Sequence, residues 1–452
     1  MEMKKLLLLL VGIAGTALVF AEATISNVTL RQRWPWGREV DVYYTLTGAS
    51  SPIAVRPTFT VGGEPLAVAD SALGGDRVGL VSGLHHLVWT PSDTDFADRA
   101  KLLDVRVALT PAPMPLYAIY DLTDAGKPKN PTYVFEDDLR AGKWGSWQEN
   151  PYGYIDSVIW TGVNADVAYK TDKLVLRYVH PTTDPMWVAH AGTDTSLMGT
   201  PADTPSADSA GTTYVFGVPN CSPQQTVKLT KGFWLGVFEV TQAQYAEITG
   251  LWPSWFSNTT VRANRPVESV PYSTFRGSKA GYLWPSNGHA VASNSFLGKL
   301  RKRTGAAFDL PTEAQWEYAC RAGSTDIRYG VDKVISRSWW SGASWNYRDG
   351  ASANTGTAEV GSYAPNAWGF YDMLGNVWEF CLNGWSTYAD AKVAGTDPMG
   401  PTVDSDKRVI RGGPYYEYSS RSTAPCRYHD GGNAAKNWSS SYYGFRVCLP
   451  IK

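Results

Sequence analysis

Two acidic side chains flank a turn-forming stretch in the segment PNAWGFYDMLGNVWEF at residues 365–380. Asp372 and Glu379 carry hard carboxylate oxygens, and Gly375 and Val377 between them offer backbone carbonyls. If the backbone turns there, all four groups can face one point, which is the arrangement that calcium prefers. The alternative is a tight aromatic turn whose acids accept hydrogen bonds from backbone amides. The residues alone leave both alternatives open.

The five cysteines and six histidines limit other metal and redox chemistry. No Cys-x-x-Cys motif or Cys/His cluster occurs, so the sequence predicts no zinc site. An odd number of cysteines in an exported chain leaves at least one thiol unpaired or bonded to another molecule. Cys426 precedes Arg427, a cation that could lower the pKa of the thiol and make it nucleophilic.

Several phrases of the sequence resemble those of one known family. The segment at 365–380 resembles the core signature of the formylglycine-generating enzymes, also called sulfatase-modifying factors. Further phrases of that family follow its order over about residues 173–452: EVTQAQY at 239–245, LPTEAQWEYACRAG at 310–323, RGG at 411–413 and GFRV at 444–447. The resemblance implies an α+β, C-type-lectin-like domain with long loops.

The family's enzymes oxidise a cysteine of a client sulfatase to formylglycine, using oxygen, copper and two cysteines of their own. The resemblance places those cysteines behind a GGS phrase, which reads Gly412-Gly413-Pro414 here. Glu417 stands at the first cysteine position, and Ser422 stands at the second, or Ser420 if two residues are deleted. Oxygen ligands are hard and do not replace two soft thiolates on Cu(I), so copper is not expected.

Cys426 is the one thiol near these positions, and it lies four to six residues too late in the sequence. A shifted loop would bring it into the pocket as a weak catalytic candidate. The alternative is a structural cysteine, or one joined by a disulfide to Cys448 or Cys381.

The resemblance also implies structural calcium. In the family one calcium is held at the positions of Asp372, the carbonyls of Gly375 and Val377, and Glu379. A second calcium site begins at the position of Asn346, with the carbonyl of Tyr347. The loop after Asn346 is shorter here, so the remaining acid of that site has no clear equivalent.

Two functions are therefore open. In the first, an exported family member without oxidase activity binds a protein segment or a glycan in the old cleft. That cleft would be lined by Trp378, Tyr415, Tyr416, Glu417 and Arg446, which are otherwise core aromatics and a structural arginine. In the second, an active oxidoreductase modifies a sulfatase cysteine with Cys426 in an altered geometry. A purely structural surface protein is a third alternative.

Three helices are expected to position these groups. Thr241 and Gln244 form a capping-box pattern, with Gly250 as the stop. A second helix is predicted over 295–304 and ends at Gly305, and a third begins at Thr312 and ends by residue 323. Their inward-facing residues are expected to be Leu300, Trp316 and Ala319.

The first part of the chain is expected to be all-β. Residues with period-two alternation, such as Val40, Val42, Tyr44 and Leu46, predict a small immunoglobulin- or fibronectin-III-like sandwich over 24–110. A proline-rich boundary at 111–115 opens a connector, residues 111–172, before the domain at 173–452.

The N-terminus and the composition indicate the compartment. Residues 1–21 read as a signal peptide, with Lys4 and Lys5 before a short apolar run and an Ala-Glu-Ala cleavage pattern at 21–23. The chain is therefore expected to be secreted, periplasmic or on the cell surface, with no membrane segment after cleavage. Its formal net charge of −1 gives no reason to expect nucleic acid.

Overall fold

The computed structural model describes residues 23–92, 104–123, 130–150, 156–201, 221–277, 284, 287–329, 356–386, 394–400, 407–415, 421–429 and 439–451. The predicted signal peptide at 1–21 lies outside these residues. No helix in the described ranges is both long enough and apolar enough to cross a membrane.

The strands, in chain order, are β1 Thr24–Gln32, β2 Val40–Thr47, β3 Ile53–Val61, β4 Glu64–Leu66, β5 Leu73–Gly75, β6 Val78–Leu80, β7 Gly83–Trp89, β8 Val105–Ala112, β9 Tyr117–Asp121, β10 Thr132–Val134, β11 Gln148–Glu149, β12 Val158–Ile159, β13 Lys173–Val179, β14 Ser196–Met198, β15 Gln225–Lys228, β16 Phe233–Gly236, β17 Trp378–Gly384, β18 Gly395–Thr396, β19 Arg408–Arg411, β20 Arg427–His429, β21 Tyr443–Gly444 and β22 Cys448–Pro450. The helices are α1 Glu136–Arg140, α2 Gly162–Ala165, α3 Ala168–Thr171, α4 Pro185–Ala191, α5 Gln242–Thr249, α6 Tyr272–Phe275, α7 Phe296–Thr304 and α8 Glu313–Arg321. Short 3₁₀ turns lie at Asp70–Ala72 and Arg262–Asn264.

The chain divides into two compact units, the first formed by residues 1–116 and 129–135 and the second by 117–128 and 136–451. The first unit is all-β. One sheet has the strand order β1-β2-β7-β5, and in the other β3 pairs with β4, β6 and β8. Apolar residues of both sheets, among them Val42, Tyr44, Phe59 and Trp89, share one core. The alternation predicted for β2 is confirmed, since every second side chain of this strand enters the core.

The second unit is an α+β domain, as the resemblance implies. Its central sheet places β13 between β9 and β16, with β22 beyond β16. A second sheet has the order β20-β19-β17-β21, and β14, β15 and β18 form a third. Strand β9 lies within residues 111–172, the segment predicted as a connector, and its first four residues are buried. The second unit therefore begins at Tyr117 rather than at Lys173.

The three predicted helices are confirmed as α5, α7 and α8. Thr241 and Thr312 each form a complete capping box with the glutamine three residues later. Gly250 and Gly305 end α5 and α7 in the left-handed conformation, where glycine carries no steric cost. Helix α8 ends one residue earlier than its glycine suggests, because Ala322 takes the left-handed position with φ of 46°. The residues expected to face inward, Leu300, Trp316 and Ala319, are all fully buried.

Candidate functional site

Helix α8 carries three charged side chains on one buried face. Glu313, Glu317 and Arg321 follow one another at intervals of four residues, so they lie along one side of the helix. All three are buried, and Arg321 Nε donates to Glu317 Oε1 at 2.9 Å. Glu317 also accepts the backbone N–H of Gly199 at 2.9 Å. A buried charged stripe of this kind requires partners from other elements.

Strands β19 and β20 supply those partners. Arg411, from the RGG phrase, contacts Glu317 through Nη2 and lies 3.3 Å from Glu313 through Nε. Arg427 clamps Glu313 with two hydrogen bonds, at 2.6 and 3.0 Å. Burial would raise the pKa of Glu313, but Arg427 and Arg411 hold it below its ordinary value. The result is a continuous chain of buried ion pairs that joins α8 to the sheet.

Arg446, from the GFRV phrase, forms a second buried pair. Its Nε and Nη2 each donate to the carboxylate of Glu379 at 2.6 Å, and its remaining contacts are backbone carbonyls. Trp316 Nε1 on α8 donates to the same carboxylate at 2.8 Å. Arg446 is thus a structural arginine, the alternative that the sequence left open, and in this structure it does not line a cleft.

Asp372 lies at the turn that precedes β17. Its backbone has φ of 56°, and Asn376 in the same turn has φ of 63°. One oxygen, Oδ2, accepts the backbone N–H of Gly361 at 2.6 Å. The other, Oδ1, is buried and has no hydrogen-bond partner among the described residues. Burial raises the pKa of Asp372 to about 6. A buried carboxylate oxygen without a donor is where a cation would be expected.

Glu239 is a third acid at this turn, and sequence reasoning missed its role. It accepts Asn376 Nδ2 at 2.6 Å and the backbone N–H of Val377 at 3.2 Å. Burial and the neighbouring carboxylates Asp372 and Glu379 raise its pKa well above its ordinary value. Its place at the head of the EVTQAQY phrase was the one sequence signal that could have drawn attention to it.

The residues predicted for the first calcium site differ in whether their oxygen atoms already have hydrogen-bond partners. Asp372 has an open oxygen, whereas both oxygens of Glu379 are engaged by Arg446 and Trp316. Gly375, with φ of 90°, donates its N–H to the carbonyl of Gly412. Within the described ranges, no group of three His, Cys, Asp or Glu side chains could hold a metal ion by itself. Asn346 and Tyr347 of the second predicted site lie outside the described residues.

Ser422 is packed against the second glycine of the RGG phrase. A Cβ built on Gly413, whose φ is 78°, would meet Ser422 Oγ at 2.7 Å, so the hydroxyl lies directly beside this backbone. The Ser422 hydroxyl is buried and has no hydrogen-bond partner among the described residues. Ser422 is the residue that the ungapped match assigns to the second cysteine position.

All five cysteines are buried, and none of them forms a disulfide. The disulfide of Cys426 with Cys448 or Cys381, one alternative at the sequence level, is wrong for this structure. Cys426 is fully buried, and its backbone carbonyl accepts Arg411 Nη1 at 2.8 Å. Burial raises the pKa of the Cys381 and Cys448 thiols, which makes them poor nucleophiles.

Besides Arg446, the described members of the predicted ligand cleft are two buried aromatic residues. Trp378 is 1% exposed and stacks on Tyr428, with ring centroids 6.0 Å apart. Tyr415 is 6% exposed and meets Phe256 edge to face at 5.6 Å. Tyr416 and Glu417 lie outside the described residues. The structure therefore brings Trp378 and Tyr415 into the packed interior rather than onto an open surface.

Comparison with known proteins identifies the second unit. A family model described as the sulfatase-modifying factor enzyme 1-like domain matches residues 196–451, more than half of the chain. The formylglycine-generating enzyme of Thermomonospora curvata is 33% identical over 141 residues, which cover 29% of this chain and 46% of that enzyme. The mouse formylglycine-generating enzyme is 31% identical over 161 residues, which cover 34% of this chain and 42% of the enzyme.

The chain also matches a protein with a different name. The serine/threonine-protein kinase pkn1 of Chlamydia pneumoniae is 33% identical over 147 residues, which cover 31% of this chain and 21% of the kinase. The chain thus spans less than half the length of each of these relatives. Among solved structures, PvdO from Pseudomonas aeruginosa has a TM-score of 0.44 and 20% identity, covering 61% of this chain and 94% of PvdO.

Proposed function

Because this chain belongs to the sulfatase-modifying factor family, we propose that it keeps the family's domain as a binding module and lacks the family's cysteine oxidase activity. The observation that carries the proposal is the packing of Ser422 against Gly413. In the ungapped match a hydroxyl stands where the family has a thiol, and a hydroxyl is a hard donor that does not hold Cu(I). The match to a protein named as a kinase supports a domain that serves more than one kind of protein.

The buried ion pairs explain how the domain can keep its fold without the two cysteines of the family's enzymes. Glu313, Glu317 and Glu379 bind arginines of β19, β20 and the GFRV phrase, and none of these pairs involves a thiol side chain. Replacing the cysteine positions with oxygen-bearing residues therefore leaves the scaffold intact. We propose that the scaffold presents loops that recognise a protein segment or a glycan.

The alternative function is an oxidoreductase that uses Cys426. Cys426 is in no disulfide, so its sulfur could bind copper, but the ungapped match offers a serine rather than a second thiol behind the RGG glycines. The test is to incubate the purified chain with Cu(I), oxygen and a peptide that contains Cys-x-Pro-x-Arg, and to follow the peptide mass. We expect no aldehyde. Aldehyde formation that disappears in Cys426→Ser would overturn the proposal.

We propose structural calcium at the turn of Asp372. The free Oδ1 of this buried carboxylate supports the assignment, since calcium binds carboxylate and carbonyl oxygens. Repulsion from the Asp372 carboxylate contributes to the raised pKa of Glu239, and a cation bound at Oδ1 of Asp372 would reduce that repulsion. The carbonyls of Gly375 and Val377 would complete the site.

We also propose that the protein is exported. The support is the sequence pattern of residues 1–21, which lies outside the described structure. An N-terminal sequence of the mature protein that begins near Glu22 to Thr24 would support cleavage, and an intact Met1 on protein recovered from the cytoplasm would contradict it.

A further inference from the structure

The loop after α5 exposes large apolar side chains. Leu251 is 59% exposed, Trp252 42% and Trp255 68%, and we define residues 251–256 as the aromatic loop. Exposed tryptophans in a cluster mark interaction sites more often than single exposed apolar residues do. The sixth residue, Phe256, points inward and contacts Tyr415. The aromatic loop is therefore continuous in packing with the residue that the sequence placed in the ligand cleft.

A buried carboxylate fixes the shape of the aromatic loop. Glu268 accepts the backbone N–H groups of Trp255 and Phe256, at 3.1 and 3.0 Å, and the hydroxyl of Ser269 at 2.6 Å. Ser254 closes the same arrangement with a hydrogen bond to the backbone of Glu268 in each direction. Glu268 itself is fully buried. A loop held this way is ordered before it binds, which lowers the entropic cost of association.

An arginine that forms no ion pair with any described residue borders the loop. The guanidinium of Arg262 lies 4.1 Å from the ring centre of Trp252. Within the described residues it forms no ion pair, so its charge is available to an incoming anion. A guanidinium stacked on an aromatic ring is held in place and still presents its N–H groups at the edge. Tryptophan and arginine together are the residue types that dominate binding energy in protein interfaces.

We infer that the aromatic loop and Arg262 form a docking site for an extended, acidic protein segment that carries an apolar side chain next to its carboxylate. The inference rests on the proposed binding function. It assigns the binding surface to the exposed Trp252 and Trp255 instead of the buried Trp378. Charge favours the peptide, because a neutral glycan offers Arg262 only uncharged hydrogen-bond acceptors, whereas a carboxylate forms a stronger, charge-assisted pair with it. An acidic peptide satisfies the arginine and the tryptophans together.

The test uses the full chain and an array of short synthetic peptides. The array pairs one acidic residue with one aromatic or leucine residue at varied spacing, and a matched set carries lysine in place of the acid. We expect acidic peptides to bind, and we expect Trp255→Ala to weaken them about tenfold or more. Arg262→Glu should lose the acidic peptides and gain the lysine set.

Matched controls come from the first unit. Trp36 is 88% exposed and Arg31 is exposed on β1, so Trp36→Ala and Arg31→Glu remove the same residue types elsewhere and should leave peptide binding unchanged. If peptide binding is unchanged in Trp255→Ala and Arg262→Glu but is lost in Tyr415→Ala, this inference is wrong, whereas the proposed binding function is still supported. If the array binds nothing while a parallel set of oligosaccharides does bind, the partner class is wrong. If neither set binds, the proposed function fails as well.

Discussion

Ser422 Oγ and the backbone of Gly413 lie side by side, so that a Cβ on Gly413 would come within 2.7 Å of the hydroxyl. The contact concerns the position that the family match assigns to the second copper-binding cysteine. A residue count alone left two positions, Ser420 and Ser422, for the second cysteine of the family. Ser422 lies beside the glycine, whereas Ser420 lies outside the described residues. We therefore base the predictions on the ungapped register, in which oxygen stands at both sulfur positions.

Restoring the two thiols should restore copper binding. In the ungapped register the double variant Glu417→Cys, Ser422→Cys places thiols at both family positions, and two thiolates suit Cu(I). We expect this variant to take up one copper ion in competition with a chelator, and Ser422→Cys alone to bind more weakly. The double variant Ser386→Cys, Thr396→Cys adds two thiols elsewhere and is the control for adventitious copper binding by thiols. Equal copper uptake by the control variant would contradict the assigned register.

The buried ion pairs of α8 should dominate the stability of the second unit. In Glu317→Ala both Arg411 and Arg321 lose a buried partner, which should cost about 3–5 kcal/mol of the free energy of unfolding. The control is Asp194→Ala, which removes a partly exposed pair with Lys228 and should cost less than about 1 kcal/mol. Urea unfolding followed by circular dichroism measures both. Equal losses would mean that the buried chain of charges does not hold α8 to the sheet.

Calcium should stabilise the fold through Asp372. We expect the melting temperature of the metal-free protein to rise when calcium is added at neutral pH, because the cation binds the folded state. Asp372→Asn keeps the size of the side chain and removes its charge, so it should abolish most of this increase. Asp194→Asn should leave it unchanged. An increase that survives in Asp372→Asn would place the calcium elsewhere.

His180 should make stability depend on pH. Burial alone would lower its pKa, but Asp156 at 3.3 Å and Asp184 at 3.0 Å raise the pKa to about 9. The folded pKa lies above the ordinary value of 6.5, so the stabilisation is complete below pH 6.5 and is lost as the pH rises through about 9. Urea unfolding across this range should show stability falling with pH, and His180→Gln should flatten the change.

Local features were the predictable part of this fold. The capping boxes at Thr241 and Thr312 need only residues three positions apart, and the alternation in β2 needs only one strand and one core. Strand β9 was missed because its first four residues are all buried, and a run without alternation gives no period-two signal.

The site depends on contacts that a single sequence does not reveal. Arg411 and Glu317 are 94 residues apart, and Glu239 and Asn376 are 137 apart. Each of these residues lies in a phrase that the sequence shows, but which residue contacts which is visible only in the folded structure. The burial of Trp378, Tyr415 and Arg446 follows from the same long-range packing, which a single sequence does not reveal.

The most direct test of the account is a titration of the native protein with Cu(I) against a competing chelator, with Cys426→Ser as the matched variant. If oxygen has replaced the family's two thiols, the native protein binds no stoichiometric copper in this competition, and Cys426→Ser gives the same curve. One equivalent of tightly bound copper that is lost in Cys426→Ser would contradict the account and support the oxidoreductase.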